Sequence, residues 1–384
     1  MKREGYIFPR ICCKLNIRRA AINASKNKKH KRVVRKINAN LDKTVDAVQE
    51  ILLNGFTPTP YKVSTIYDGA RKKERRIEKP VFYPDQIIHW ALIQQIQPLI
   101  MRGMYEWSCG SIPGRGQRRC KQGVERWLRN DPENTRYCLK IDIRHFYQSI
   151  DNELLKAKFR RIIKDRQALA LIDTIVDSTK GLNIGNFTSQ WFANFYLQDA
   201  DHFIKEKLRH FERHTKRGEI TKTDGVIYYA RYVDDMVLFG RNKKNLRKAR
   251  ERLFAYLQDE LHLEIKPNWQ LFLITETRRK RDGTEYQAGR DLDFLGYRMN
   301  HECTTLRRSL SLRISRRARK IAKKEKPTVN DAAAMVSYNG FIIRSDSYNY
   351  YRKRIKPYVS MERMKGMIAY ETRKKQRHAR AKPG

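Results

Sequence analysis

Val226-Ile-Tyr-Tyr-Ala-Arg-Tyr-Val-Asp-Asp-Met-Val-Leu-Phe-Gly240 is the stretch whose reading decides the fold. Two short runs rich in Val, Ile, Tyr and Phe flank Asp234 and Asp235, a pattern that predicts strand, tight turn and strand with two carboxylates at the tip. A charged hairpin turn is the plain alternative. Two-residue hairpin loops, however, favour Asn-Gly, Asp-Gly or Gly-X, which reach positive φ without strain, and Asp-Asp is a poor choice for that. Adjacent carboxylates between apolar strands also repel, each raising the other's pKa unless a cation is near. The choice makes sense around a divalent metal, and oxygen ligands of this kind suit Mg²⁺, which takes one or two carboxylates plus substrate phosphates.

That reading asks for a third acid. Tyr137-Cys-Leu-Lys-Ile-Asp-Ile143 is another strand-like run with an Asp near its end, followed by Arg-His-Phe-Tyr147. An acid ending one strand and a pair on a neighbouring hairpin can hold two metals about 3.5–4 Å apart, clamping the attacking and leaving oxygens of an in-line phosphoryl transfer.

Tyr232-Val-Asp-Asp235 resembles the signature of reverse transcriptases, and Ile141-Asp142 with Phe146-Tyr147 resembles their first catalytic motif. The resemblance runs from Asn54 to Tyr350 with further motifs in order. It implies an α+β right-hand polymerase fold: fingers, a palm with an antiparallel sheet and helices, and a helical thumb. The corresponding division is 1–35 basic N-terminal segment, 36–136 fingers, 137–300 palm with part of the fingers between 152 and 180, and 301–384 thumb and basic tail. It also implies Asp142, Asp234 and Asp235 as catalytic acids, and two Mg²⁺ ions held by these acids with Ile143 in the metal set.

Composition points the same way. The 384 residues carry 83 basic and 41 acidic side chains, a net charge of +42 that argues for a polyanionic partner. Nucleic acid is the first candidate and an anionic membrane surface the second. No apolar run reaches the roughly 18 residues of a spanning helix. Lys2, Arg3, Glu4, Arg10 and Lys14 at the amino terminus do not make a signal peptide. A cytoplasmic protein without a membrane partner is expected. The length exceeds one typical domain, and 40% hydrophobic residues suffice for a core. None of the six cysteines stands in a Cys-x₂-Cys pair, so idle thiols are expected rather than zinc ligands.

In chain order, residues 1–35 read as basic and poorly patterned. Leu41, Val45, Val48 and Leu52 fall at helical spacing and Asn54-Gly55 stops that helix. Tyr61 to Ile66 and Arg76 to Phe82 alternate like paired strands across a turn at Asp68-Gly69, with Arg71, Lys72, Lys73, Arg75 and Arg76 at the join. By the resemblance this is the fingers hairpin and Arg76 the contact to the incoming triphosphate; a hairpin binding phosphate backbone is the alternative. Ser108 to Gly116 is a loop by composition, and the resemblance makes it, with Arg115, a template contact. Tyr147 lies five residues after Asp142, the family's place for an aromatic under the sugar that excludes a 2′-hydroxyl; a core tyrosine is the alternative. Asp151 reads as a helix cap.

Gly181-Leu-Asn-Ile-Gly-Asn-Phe-Thr-Ser-Gln190 leads into an apolar helix, Trp191 to Leu197, with Thr188 or Ser189 as its cap. It resembles the motif under the templating base pair, which makes Ile184, Gly185 and Gln190 nucleotide-binding. Ile184 stands where many relatives have glutamine, a variant similar to reverse transcriptases of diversity-generating retroelements, which copy adenines with errors. An apolar packing residue is the competing account. Leu246 to Leu257 predicts a helix and Leu261 to Gln270 a strand; by the resemblance to polymerases, Lys266 stands near the place of a lysine that donates a proton to pyrophosphate. Thr275 to Arg290 is a polar insert turning at Asp282-Gly283.

Leu292 to Tyr297 resembles the primer grip, so Gly296 and Tyr297, with Tyr232, are expected to hold the primer. Leu306, Leu310, Ile314 and Ile321 form an apolar stripe whose basic flanks, Arg316 and Lys320 among them, predict a thumb helix on a duplex backbone. Ser337 to Gly340 and Tyr348 to Tyr351 read as one further helix, and Arg373 to Lys382 as disordered tail.

The expected activity is RNA-directed DNA synthesis on a template RNA and the RNA/DNA hybrid, with deoxynucleoside triphosphates as substrates. The preferred subtype is diversity-generating, which implies a small basic accessory protein. An antiphage defence enzyme and a group II intron-like enzyme are the alternatives within the family. A non-catalytic RNA-binding protein and a metal-dependent nuclease are the alternatives outside it.

Overall fold

The structure is a computed structural model that describes residues 3–68, 73–214 and 220–380. The fold is α+β, and the chain divides into two compact units: Met1–Cys120 with Leu139–Leu271, and Lys121–Cys138 with Phe272–Gly384.

A four-stranded sheet, most of whose residues belong to the first unit, has the order Tyr228–Tyr232, Asp235–Gly240, Tyr137–Asp142, Gln270–Leu273. The first two strands form the expected antiparallel hairpin, with Tyr228 opposite Phe239 and Tyr232 opposite Asp235. Met236, Val237, Leu238 and Phe239 are all fully buried, which accounts for a continuous apolar run where a half-exposed strand would alternate. The helix Lys243–Asp259 packs on that strand and buries Leu246, Ala249, Leu253 and Leu257. The expected hairpin forms, with Thr65 opposite Arg76, but its strands are Lys62–Asp68 and Lys73–Lys79: the second begins earlier than expected and ends before Phe82, which opens a helical turn. Gly69, Arg71 and Lys72 of its expected turn lie outside the described residues.

Residues 1–35 correct the sequence reading. They form helices Phe8–Cys12 and Lys14–Ser25 and the start of Arg32–Ala39, and Lys14–Ser25 packs against Ile87–Arg102. Its buried face is Ile17, Ala20, Ala21 and Ala24, small side chains whose low hydrophobicity the interleaved Arg18 and Arg19 conceal. Asp165 ties this segment down: one carboxylate oxygen accepts from the amides of Ile7 at 2.6 Å and Phe8 at 2.8 Å. The other caps the helix Arg166–Asp177 through the Ala168 amide at 3.1 Å. Burial pulls the Asp165 carboxyl up, but these amide donors outweigh it and hold it below the ordinary value.

Two further expectations change. Leu261 to Trp269 is not a strand: His262 has φ 50 and Pro267 removes a donor, so pairing is confined to an Ile143–Ile265 bridge before the strand Gln270–Leu273. The helix expected at Trp191 starts at Phe187, and its cap is Asn186, whose Oδ1 accepts from the Thr188 amide at 3.2 Å.

In the second unit, strands Leu292–Phe294, Tyr297–Met299 and Thr304–Leu306 form an antiparallel sheet. Leu295 and Gly296 make the first turn with φ 52 and 87, the two-residue loop whose twist suits a hairpin. Leu306 pairs with Tyr297 and so belongs to this sheet, not to the helix that follows, Arg308–Ala322. The expected single further helix is two, Val329–Ile342 and Tyr348–Arg354. Between them Asp346 ties back to Thr304, amide to carbonyl at 2.7 Å and carboxylate to amide at 2.8 Å. The tail is helical from Met361 to Arg380 and packs on Val329–Ile342, with Met361 and Met364 buried at i, i+3 spacing.

Replacing Asp165 by Ala is expected to destabilise the protein by about 1–3 kcal/mol in a urea titration at neutral pH. Because the native carboxyl sits below its unfolded value, the contribution is full above that value and fades as pH falls through the native one. The difference between wild type and variant narrows accordingly in acid.

Candidate active site

The two-residue loop of the central hairpin is Val233-Asp234, one position earlier than the Asp-Asp pair, because Tyr232 pairs with Asp235. Val233 has φ 60, a region that β-branched residues avoid, at a cost of about 1–3 kcal/mol. The neighbouring segment holds it there. The Cys109 amide donates to the Arg231 carbonyl at 2.8 Å and the Arg231 amide to the Trp107 carbonyl at 3.0 Å. Gly110 lies so close that a Cβ on it would sit 2.3 Å from Val233 Cγ2. The first half of the expected template loop is therefore packed against the hairpin, with Ser108 and Cys109 buried.

The loop opens into a cleft of about 650 Å³. Asp142, at the end of its strand, and Asp234 both line it; burial first, then the charge of the nearby Asp142, pushes Asp234 up to about 6. Asp142 is fixed by the chain beside it: the Lys266 amide donates to its carbonyl at 2.9 Å and the Arg144 amide to the Glu264 carbonyl at 2.8 Å. The Lys266 ammonium sits 2.6 Å from Asp142 Oδ2. Asp235 lines the same cleft but opens the next strand, and its carboxylate is 3.9 Å from Lys140 Nζ. Among the described residues no group of three His, Cys, Asp or Glu side chains is placed to hold a metal ion, so the expected trio is here a close pair with a neighbour.

Most other expected nucleotide contacts gather around this cleft. Arg76, Ile143, Tyr147, Ile184, Gly185, Gln190 and Tyr232 all line it. Arg76 is exposed and paired with Glu78 at 3.0 Å. Burial pushes the Tyr147 hydroxyl up to about 12, with the charge of Asp234 adding to it. The Ile184 carbonyl accepts from the Glu78 amide at 3.2 Å, so the basic hairpin is stitched to the Ile184-Gly185 loop. Gly185 has φ +104, and a Cβ there would lie 2.6 Å from Ile77 Cγ2. Arg115 donates to the Tyr105 carbonyl at 2.6 Å, which leaves part of its fork inside the protein.

The remaining expected contacts belong to the second unit. Arg316 and Lys320 are exposed one turn apart on Arg308–Ala322. Tyr297 is only 3% exposed, with its ring 5.6 Å from Phe341 and Lys121 Nζ over it at 5.2 Å. It is a core residue, so its ring is not on offer at the surface of this hairpin.

The family profile described as reverse transcriptase (RNA-dependent DNA polymerase) matches residues 72–299, more than half of the chain. The chain belongs to the reverse transcriptase family. Its α+β fold is the fold of these RNA-directed DNA polymerases. No curated protein matches the chain. Among solved structures, it is similar to a telomerase from Candida albicans in complex with a TWJ fragment of telomeric RNA, at 12% identity and TM-score 0.43, covering 80% of this chain and 58% of that one. An apo telomerase from Candida tropicalis gives 11%, TM-score 0.48, 74% and 53%. The same enzyme truncated from the C-terminal domain gives 11%, TM-score 0.42, 66% and 56%. The chain thus spans little more than half the length of each.

Reverse transcriptases generally use a divalent metal, and the Asp142–Asp234 pair fits one. Asp142 Oδ1 is buried without a hydrogen-bond partner, and two neighbouring carboxylates are a hard-oxygen donor set that a divalent cation would relieve of repulsion. Sequence reasoning missed the polar residues behind the pair, Arg231, Asp201, Ser108 and Asn194, all buried. The signal was a single arginine inside an apolar strand.

Substituting Ala for Gly185 is expected to cost about 1–3 kcal/mol of stability, because both the positive φ and the space against Ile77 are lost. Thermal melting checks this, and primer extension by the variant should slow as the loop shifts.

Proposed function

We propose that this chain extends a DNA primer on an RNA template by in-line phosphoryl transfer, with Asp142 and Asp234 as the principal metal-holding acids and Asp235 assisting. The observation that carries the reading is the meeting of a carboxylate at a strand end with one from the hairpin loop, close enough that the first raises the pKa of the second, in a cleft also lined by Arg76 and Tyr147. These acids would hold Mg²⁺, the expectation being two ions with Ile143 in the set; when bound, the metal lowers the pKa of the attacking hydroxyl and neutralises the departing pyrophosphate. The protein's own part is positioning and charge. Arg76, exposed on its hairpin at the cleft, would leave Glu78 to take triphosphate oxygens. Tyr147 supplies a rigid, half-buried ring against which a 2′-hydroxyl would clash. Lys266 neutralises Asp142 in the free protein and, once displaced, is within the cleft to protonate pyrophosphate.

The exposed Arg316 and Lys320, one turn apart, support contact with a nucleic-acid backbone. Gly296 and the backbone about Tyr297 are assigned to the primer, and Tyr232, Arg115 and Gln190 to primer, template and nucleotide. The subtype reading is a diversity-generating enzyme, which Ile184 at the cleft and the following Gly185 and Ser189-Gln190 support. An accessory protein that is itself basic would associate with a chain of charge +42 through the template RNA.

Asp142→Asn and Asp234→Asn are each expected to abolish Mg²⁺-dependent extension of a DNA primer on RNA while leaving hybrid binding within about threefold, a loss confined to the transition state. Extension surviving either change refutes the assignment. Tyr147→Ala should admit ribonucleotides, read as alkali-labile product. In sequenced cDNA from the wild type, errors should concentrate opposite template adenines, and Ile184→Gln should lower them; an even spread over the four bases argues against the subtype.

A further inference from the structure

Behind the Val233-Asp234 loop lies a polar cluster with no access to solvent. Arg231 and Asp201 are both 0% exposed, as are Ser108 and Tyr229. Arg231 forks onto Asp201, Nε to Oδ1 at 2.7 Å and Nη2 to Oδ2 at 2.6 Å. Its second Nη2 hydrogen goes to Ser108 Oγ at 3.1 Å, and Ser108 in turn donates to Asp201 Oδ2 at 2.7 Å. Tyr229 donates to Asp201 Oδ1 at 2.7 Å. Of the two Nη1 hydrogens, one meets Asn194 Oδ1 at 3.1 Å and the other the Val233 carbonyl at 2.9 Å.

All five guanidinium donors are used. Four of them fix the plane of the group against side chains, and the fifth alone reaches backbone. That backbone is the carbonyl of the one β-branched residue the hairpin holds at positive φ. The Val233 carbonyl and the Asp234 amide belong to a single rigid peptide plane, so a bond to the first sets the direction from which Asp234 leaves the turn. A cluster serving stability alone has no reason to end at this atom.

We propose that Arg231 is a positioning residue for the catalytic loop: anchored by Asp201, Ser108 and Asn194, it pins the Val233 peptide in its unfavoured conformation and so aims Asp234 at Asp142. The inference rests on the polymerase reading for its effect on turnover, but not for its effect on the metal-holding pair. Lysine at this position would keep the charge yet could not reproduce a planar fork that satisfies a carboxylate and a backbone carbonyl together. Asn194 acts one step further out, steering Nη1 while its amide donates to the Gly110 carbonyl at 2.9 Å, beneath the same valine.

The test is a double-mutant cycle. Arg231→Lys and Asn194→Ala are each made in the wild-type chain and in a Val233→Gly background, where glycine adopts positive φ without help. Mn²⁺ affinity is read by electron paramagnetic resonance, kcat and dNTP KM by primer extension on RNA, and folding by thermal melting. Arg231→Lys is expected to lower Mn²⁺ affinity and kcat each by about tenfold with KM changed less than about twofold, and to cost less than about threefold when Val233 is already Gly. Asn194→Ala should move the same quantities in the same direction by a smaller factor, and it carries the test if the lysine variant does not fold. Equal losses in both backgrounds, or a lowered melting temperature with Mn²⁺ affinity unchanged, overturn the proposal. If the wild type extends no primer, the polymerase reading fails while the Mn²⁺ cycle still decides the role of Arg231.

Discussion

Two negative charges that repel one another have to be held close together, and the first unit is arranged around that requirement. Asp142 comes from a strand end and Asp234 from the hairpin loop, and the charge of the first helps raise Asp234 to about 6 after burial has already raised it. In the free protein the Lys266 ammonium, 2.6 Å from Asp142, offsets part of the repulsion. The rest is borne by the fold, whose fully buried strand Met236 to Phe239 cannot shift without uncovering core. A constraint of this kind is tolerated when the surroundings over-determine it, and it leaves the pair ready for a cation.

The same logic bears on two of the seven non-glycine residues that the described chain holds at positive φ. Val233 at φ 60 and His145 at φ 46 are both non-glycine residues in the left-handed region, and both line the cleft, one before Asp234 and the other three residues after Asp142. Regular geometry would carry each strand on past the site. The departures turn the chain at the point where its acid must stop, and each is flanked by bonds that hold the neighbouring chain: Arg144 to Glu264 behind Asp142, Arg231 to Val233 behind Asp234.

What the sequence made legible follows from how local each signal is. The hairpin, the strand ending in Asp142, the helix from Leu41 and the cap at Asp151 are set by neighbours within a few residues, and alternation or spacing exposes them. The helices of residues 1–35 are not, because their buried face is alanine and the arginines between dominate the average. The Met361–Arg380 helix hides in the same way, behind Lys and Arg. The true loop residues, Val233-Asp234, were illegible because preference tables exclude valine at positive φ; only the packing of Gly110 and the reach of Arg231 admit it. Tyr297 shows the converse: its motif was legible, but its burial against Phe341 depends on a partner distant in the chain.

Charge joins the site to the composition. A net charge of +42 favours a polyanionic partner, but at the cleft Asp142, Asp234 and Asp235 would repel phosphates, and on the proposed reading Arg76 would have to draw them in against those acids. Lys266 offsets only part of this conflict. On the proposed reading these acids would hold a divalent cation, which would offset their repulsion and supply positive charge for phosphate at the same place. Basic surface without the acids would give a protein that binds nucleic acid and stops there. The acids without basic surface would hold a metal with no means of gathering its substrate, and this chain carries both.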